Sequence, residues 1–395
     1  MPKLKTVTVA LPAFLLLLAG CGPGLRQNVP PVPNWALDEA VPTPQANPNS
    51  EIIAATQAVQ SVDVPESKTN FTHKEDPLPT ETWVSLARWC QNNGLAAPAL
   101  LSASPAPRYQ LSTSGGDFLF RTGSKLAQWG STEVRLGFAP HWIDRQPYLH
   151  SLDLKKTLGP LLAKSVPLSS NSFPVLVLDA GHGGEDAGAK SAIESSWEKQ
   201  FTLDWARRVQ ALLVTNGWQV FLTRTNDREM ALSNRVSFAA QHRADLFLSL
   251  HFNSAGTNSS QAGLETYCLT PKGMPSTITR DYYDDTNAEY PNNAFDAQNL
   301  QLAIHLHRTL LEANGHMDRG VRRARFPGVL RNQQRPAILI EGGYLSNPAE
   351  ARLIGQPAYR QKLAEAVARG LIGLTETQKM QSSANNAGEA IKMIN

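Results

Sequence analysis

The sequence predicts an α/β fold in which a mostly parallel or mixed sheet is flanked by helices, preceded by a small β-rich accessory domain. Two observations carry this expectation. From Pro174 to about Thr375, short apolar runs alternate with helical patterns, which is the signature of a parallel-type sheet with crossover helices. From Glu81 to about Leu162, shorter runs alternate apolar and polar residues and are separated by glycine-containing turns.

In the second half, strands are expected at Val175–Leu178, Gln219–Thr223, Leu246–Leu250, Leu264–Cys268 and Ala337–Ile340. Helices are expected at about Trp197–Asn216, Glu229–His242, Ala297–Asn314 and Pro357–Leu374, each with apolar residues at three- and four-residue spacing. The domain from 174 to 375 is followed by a polar tail, 376–395, expected to fray. In the first half, Glu81–Asn93 has a helical pattern with Trp83, Leu86, Ala87 and Cys90 on one side, stopped by Asn92-Asn93-Gly94. Strand-like runs follow at Arg108–Ser112, Asp117–Arg121, Lys125–Trp129 and Glu133–Phe138, and Asp153–Leu162 looks helical. This stretch, 81–165, is expected to be a separate small domain, joined by a linker at Ser165–Ser172. It loosely resembles the β-rich accessory domain at the N-terminus of some copper amine oxidases and of several exported wall proteins.

The chain has 395 residues and a net charge of +3, without the basic bias that a nucleic-acid partner would demand. Lys3 and Lys5 precede an apolar run from Val7 to Gly20, about 14 residues and too short to cross a bilayer comfortably. The run ends in Leu18-Ala19-Gly20-Cys21, which resembles the bacterial lipobox. That resemblance implies a signal peptide over 1–20, lipidation of Cys21 and export to a membrane face. Gly22 in place of an aspartate points to the outer membrane. Residues 21–80 are rich in Pro, Asn, Ser, Thr and Gln and read as a tether, with one short helix conceivable at Ile52–Val62. Cys90 and Cys268 could pair in an oxidising compartment, and no Cys/His cluster suggests a structural zinc finger.

The residues that carry chemistry sit mostly at strand ends, where open α/β sheets place their sites. His182 follows the first strand in Asp179-Ala180-Gly181-His182-Gly183-Gly184, a turn whose glycines leave room beside an imidazole. Asp179 is near enough in sequence to orient that ring. Glu198 opens a helix three residues before Phe201, on its buried stripe with Trp205, Val209 and Leu212, although an acid in a first turn is favourable on dipole grounds alone. Glu185 and Glu194 are competing carboxylates. His251 ends the strand Leu246–Leu250. Two histidines and one carboxylate give the ligand count of a catalytic zinc site with one open position. Glu341 leaves the apolar run Ala337–Ile340, so burial would raise its pKa toward a value suited to a general base. His307 lies on the stripe of Leu300, Ile304 and Leu311 and reads as a core histidine; His242 and His316 read as surface residues.

Together these segments resemble the zinc-dependent N-acetylmuramoyl-L-alanine amidases of bacterial cell-wall turnover, over Pro174 to Leu374. The resemblance rests on the glycine-flanked His182, Glu198-Lys199, Thr223-Arg224, Leu232 with Arg235, the run from Ser249 to Asn253, and Glu341 to Asn347. It implies that His182, Glu198 and His251 bind zinc, that Glu341 is the catalytic acid/base, and that Asp179, Asn253 and Arg235 support the site or touch substrate. It implies peptidoglycan as the partner. Departures are Ala240 where asparagine is frequent, Gln200 in place of aspartate, and the bulky Trp197 before Glu198. The polar stretch Thr270–Phe295, with Asp281, Asp284, Asp285 and Glu289, has three readings: an inhibitory segment released by an activator protein, a substrate-contact loop, or a surface insertion. Two other functions stay open, another zinc amidohydrolase or carboxypeptidase on the peptide stem, and an inactive wall-binding lipoprotein. The intact His/Glu/His/Glu set argues against the last.

Overall fold

The computed structural model of the chain describes residues 82–164, 174–279, 283–325 and 328–394, with side chains through 376. The export signal, Cys21, the tether with its short helix, the 165–172 linker and Asp281 lie outside the described residues.

The first half contains β1 (Trp83–Ser85), α1 (Leu86–Asn92), β2 (Ala99–Ser102), β3 (Arg108–Thr113), β4 (Gly116–Arg121), β5 (Leu126–Trp129), β6 (Thr132–Arg135), β7 (His141–Ile143), β8 (Gln146–His150), α2 (Ser151–Asp153) and α3 (Gly159–Leu162). The second half contains β9 (Val175–Ala180), α4 (Glu198–Val214), β10 (Gln219–Leu222), α5 (Leu232–Gln241), β11 (Leu246–Asn253), β12 (Leu264–Leu269), α6 (Asp296–Asn314), β13 (Asp318–Ala324), α7 (Gly328–Arg331), β14 (Ala337–Tyr344), α8 (Pro348–Gly355) and α9 (Pro357–Ile394).

The mixed α/β architecture follows from strand composition. β9, β11 and β14 are near-continuous apolar runs, as expected of strands covered on both faces. Their side chains alternate between two apolar layers. Leu176, Leu178, Leu246, Leu248, Leu250, Ile338 and Ile340 join the layer that holds Trp205, Val209, Leu213, Ile304, Leu363 and Val367 of α4, α6 and α9. Val177, Phe247, Ala337 and Leu339 face the opposite layer with Ala239 of α5 and Val329 of α7. Each such aliphatic side chain contributes about 1.5–3 kcal/mol when fully buried.

The large sheet runs β10-β9-β11-β14-β12-β13-β6-β5-β4-β3-β2. β10, β9, β11 and β14 are mutually parallel, whereas β12 is antiparallel to β14 and parallel to β13. The order reverses around β9, which places the carboxyl ends of β9, β11 and β14 side by side at a topological switch point.

Of the segment expected as a separate β-rich domain, β2–β6 extend this same sheet, while β1, β8 and β7 form a three-stranded sheet of their own. β6 pairs with β13 at Val134 and Val321, and the described residues form one compact unit. Polar ties reinforce the junction. Asp318 accepts from the Glu133 amide at 2.7 Å, Lys156 meets Asp296 at 3.1 Å, and Gln301 donates to the Pro160 carbonyl at 2.7 Å. Sequence periodicity misses β13 because Asp-Arg-Gly-Val-Arg-Arg-Ala is polar, yet Arg322 and Arg323 are buried. Arg323 donates to Thr157 at 3.0 Å and to the Lys156 carbonyl, both in the first half of the chain, as well as to Met274. The polar tail, 376–395, expected to fray, instead continues α9 to Ile394. No proline interrupts that stretch, and it is rich in Ala, Glu, Gln, Lys and Met, all good helix formers.

Candidate active site

His182, Glu198 and His251 come together although they arise from three segments. One ligand atom from each lies within 4.8 Å of the others, so the group can hold a metal ion.

β9 ends at Ala180, and His182 adopts a left-handed backbone with φ 62°. A non-glycine residue in that region costs about 1–3 kcal/mol and persists only where the surroundings impose it. Arg235 does so by donating to the His182 carbonyl at 2.9 Å. Gly183 follows at φ 133° and pairs back with Asp186, a reversal that a side chain at Gly183 would block against the Arg228 carbonyl. The reversal brings Asp186 Oδ1 to 2.8 Å from His182 Nδ1. Asp186, and not Asp179, therefore orients the ring. With its Nδ1 engaged, His182 turns Nε2 toward Glu198 Oε2 at 3.1 Å.

Glu198 begins α4 and is only 4% exposed, as its place on the buried stripe predicts. Its carboxylate is fixed from four directions. Oε1 accepts from the Phe252 amide at 3.0 Å and lies 2.9 Å from His251 Nδ1; Oε2 accepts from the Ala189 amide at 2.9 Å and faces His182. Burial alone would raise its pKa, but the hydrogen bonds to His182 and His251 outweigh that and hold the carboxyl far below the usual carboxylate range. For His182, burial works against the charged form, and Glu198 followed by Asp186 overcome it, so that its pKa is pushed up to about 9. The site is thus a buried anion that draws positive charge to itself.

His251 and Glu341 are register partners across the parallel pair β11 and β14. Both line a cleft of about 380 Å³, together with polar His182, Glu198 and Asn253 and apolar Phe252, Leu232, Val329 and Leu339, with Gly188, Ala189 and Gly328 between them in the lining. Among the described residues none from 270–295 lines this cleft. That segment is instead anchored to β13 and the residue after it: Thr277 bonds the Arg323 backbone, and Asp284 accepts from Arg325 and from Ser276.

Asp179 is fully buried at the heart of the support. It accepts from Arg235 at 2.6 Å and from Thr223 and Ser249 at 2.8 Å each. Burial opposes its ionisation, and the Arg235 charge and hydrogen bond outweigh this, so its carboxyl sits below the usual range. Arg224 and Arg235 are both buried and donate to the carbonyls of Ala180, Gly181, His182 and Lys199, bracing the turn that carries His182. Asn253 donates to Glu265 at 2.8 Å and accepts from the Ser254 amide.

Two supporting acids escape sequence reasoning. Asp186 had a signal, its place one helical turn after His182. Glu265 had a weaker one, a lone acid in the apolar strand Leu264–Leu269. It binds Asn253, Tyr267, Tyr344 and Arg319 and stands opposite Glu341 in the β12–β14 pair. His307 is a core residue as expected, between Thr266 and Asp318. His316 and His242 are not free surface residues. His316 is bonded to Glu350 and Tyr359, and His242 lies against Phe221 and Phe238. Cys90 and Cys268 are buried and free.

A family model described as N-acetylmuramoyl-L-alanine amidase matches residues 176–373, which span every residue of the site. The chain belongs to this Amidase_3 family. It is a hydrolase of that type. The amidase AmiA of Salmonella typhimurium is 31% identical over 247 residues, covering 56% of this chain and 84% of that protein. AmiA of Escherichia coli is 32% identical over 220 residues, covering 50% of this chain and 75% of that protein. Among solved structures, the catalytic domain of the amidase CwlV from Bacillus (Paenibacillus) polymyxa is 30% identical, covers 52% of this chain and 99% of its own, and gives a TM-score of 0.43. The N-terminal strands β2–β6, which continue the same sheet, lie outside the matched residues.

Proposed function

We propose that this protein is a zinc-dependent amidase that hydrolyses the bond between N-acetylmuramic acid and L-alanine in peptidoglycan. The observation that carries the reading is the convergence of His182, Glu198 and His251 beside Glu341 in one cleft, in a chain of the amidase family. Two imidazole nitrogens and one carboxylate oxygen suit zinc and leave a position open. The hydrogen bond from His182 Nδ1 to Asp186 supports that fit, because it leaves Nε2 for the metal.

When bound, zinc supplies Lewis acidity toward the scissile carbonyl and a water of lowered pKa. The rest of the chemistry belongs to the chain. Glu341, 6% exposed and following the apolar run Ala337–Ile340 within β14, accepts a proton from the attacking water. The resulting hydroxide adds to the lactyl carbonyl carbon. Glu341 then returns that proton to the alanine nitrogen as the carbon–nitrogen bond breaks, so that no net proton is consumed. Arg235 and Arg224 hold the His182 turn in place throughout.

Export and anchoring on a lipidated Cys21, facing the periplasm from the outer membrane, complete the proposal and rest on the N-terminal sequence. Radiolabelled palmitate should enter the protein and fail to enter Cys21→Ser. The decisive test is mass spectrometry of material released from purified sacculi. Free stem peptides beginning with L-alanine, lost on chelation and restored by zinc, are expected. Release through a different bond would replace the substrate assignment.

A further inference from the structure

The lining of the cleft is of two kinds. His182, Glu198, His251 and Glu341 are polar. Leu232, Val329 and Leu339 are apolar, with no hydrogen-bonding side chain among them. Val329 and Leu339 are almost covered already, at 5% and 7% exposure, whereas Leu232 is 55% exposed. A leucine in solvent at the mouth of a hydrolytic cleft has apolar surface to offer an arriving group.

Its position is fixed with care. Leu232 is the first residue of α5, and Arg235 lies three residues on, hence on the same side of the helix. Arg235 is bonded to the His182 carbonyl and to Asp179. One helical turn therefore ties Leu232 to the loop that carries His182. Across from it, Gly328 opens α7, and a Cβ there would come within 2.8 Å of Leu232 Cδ1. The absence of a side chain at Gly328 is what lets Leu232 occupy this place.

We infer that Leu232, backed by Val329, is a specificity-determining residue that receives a methyl group adjacent to the scissile amide. The inference rests on the proposed amidase reading. The bond in question has a methyl on each side, one on the lactyl carbon and one on the alanine carbon. With the carbonyl and water held among the polar residues, those methyls are the groups left for the apolar ones. A methyl in a hydrophobic pocket is worth roughly 10–200-fold in kcat/KM, and a half-exposed leucine belongs at the lower end, about 10-fold.

The test compares kcat/KM of the zinc-loaded full chain on muramyl peptides with L-alanine or glycine as first stem residue, and with a lactyl or a glycolyl ether. The wild-type protein is expected to favour the methyl-bearing member of at least one pair by about 10-fold. Leu232→Asn should reduce that ratio to about 2-fold or less. Gly328→Ala, which displaces the leucine without adding a polar group, should reduce it in the same direction. A purely structural role for Leu232 would lower all rates together and leave both ratios unchanged, and that result overturns the inference. So does a wild-type enzyme that cleaves all substrates equally. Failure of the wild-type enzyme to cleave any of them, while releasing other fragments from sacculi, would instead remove the amidase reading and this inference with it.

Discussion

Replacing Arg235 by methionine would test whether the buried Asp179–Arg235 pair holds the site together. Both side chains are essentially excluded from water, at 0% and 2% exposure. Asp179 receives two hydroxyl donors besides Arg235, but Arg235, on Oδ1, is the charged one among them. Breaking one partner of a buried pair costs about 3–5 kcal/mol, because the other charge stays buried without compensation. The carbonyls of Met230, Ala180 and His182 also lose a donor, which moves the expected value toward the upper end, about 5 kcal/mol. This is a large fraction of the ~5–15 kcal/mol that holds a domain folded. Urea denaturation should be run with chelator present, since a bound metal would stabilise the native state by mass action. The double variant with Asp179→Asn should recover about 1–3 kcal/mol of the loss, the coupling expected for groups in contact. The pH dependence has a defined sign. The folded pKa of Asp179 lies below its unfolded value, so the pair's stabilisation is present above about pH 4 and is lost as pH falls through the folded value. The gap between wild type and variant should therefore close in acid. A loss under about 1 kcal/mol at neutral pH, or a gap that widens in acid, would refute the argument.

Three further expectations follow from the same geometry. Glu341→Gln should lower kcat by about 10²–10⁴-fold while one equivalent of zinc remains bound; loss of the metal together with activity would make Glu341 a ligand instead. Because the pKa of His182 is pushed up to about 9 in the metal-free chain, metal must displace its proton below that pH, and apparent affinity should rise about tenfold per pH unit from 6 to 8 in a competition titration with a chelator. A flat profile would show that no proton is released. Gly181→Ala would set a Cβ 2.3 Å from the His251 ring, so His251 must move, and zinc affinity should fall by at least the roughly 10–100-fold that outer supporting changes cause. Unchanged affinity there would mean that His251 is not a ligand.

How much of this was legible beforehand depended on which kind of order the residues obey. β9, β11 and β14 announce themselves because a strand covered on both faces must be apolar throughout, and a polar residue at its end then marks the edge of the sheet. His251 and Glu341 were found that way, and Glu198 by its place on a helical stripe. β13 obeys no such rule. Its arginines are buried because Glu265, Thr157 and backbone carbonyls far away in sequence satisfy them, and a long-range partner leaves no local trace. The same limit explains the exchange between Asp179 and Asp186. Both are near His182 in sequence. Asp179, however, sits inside the strand and faces Ser249 in the neighbouring one, whereas the reversal at Gly183 turns Asp186 back onto the ring.

That division of labour suggests why the metal ligands can sit on separate segments and still meet. Ser249 and Asp179 are register partners across β11 and β9, and they are also hydrogen-bonded through their side chains. Two residues further along, His251 and Glu341 are register partners across β11 and β14. A slip of one residue in β11 would break the Ser249–Asp179 bond. It would also send His251 to the opposite face and carry Leu248 and Leu250 out of their apolar layer. The site geometry is therefore enforced by the same register that buries the core. The buried acid at Asp179 penalises any alternative pairing, since a displaced β11 would leave that carboxylate short of a donor in the interior.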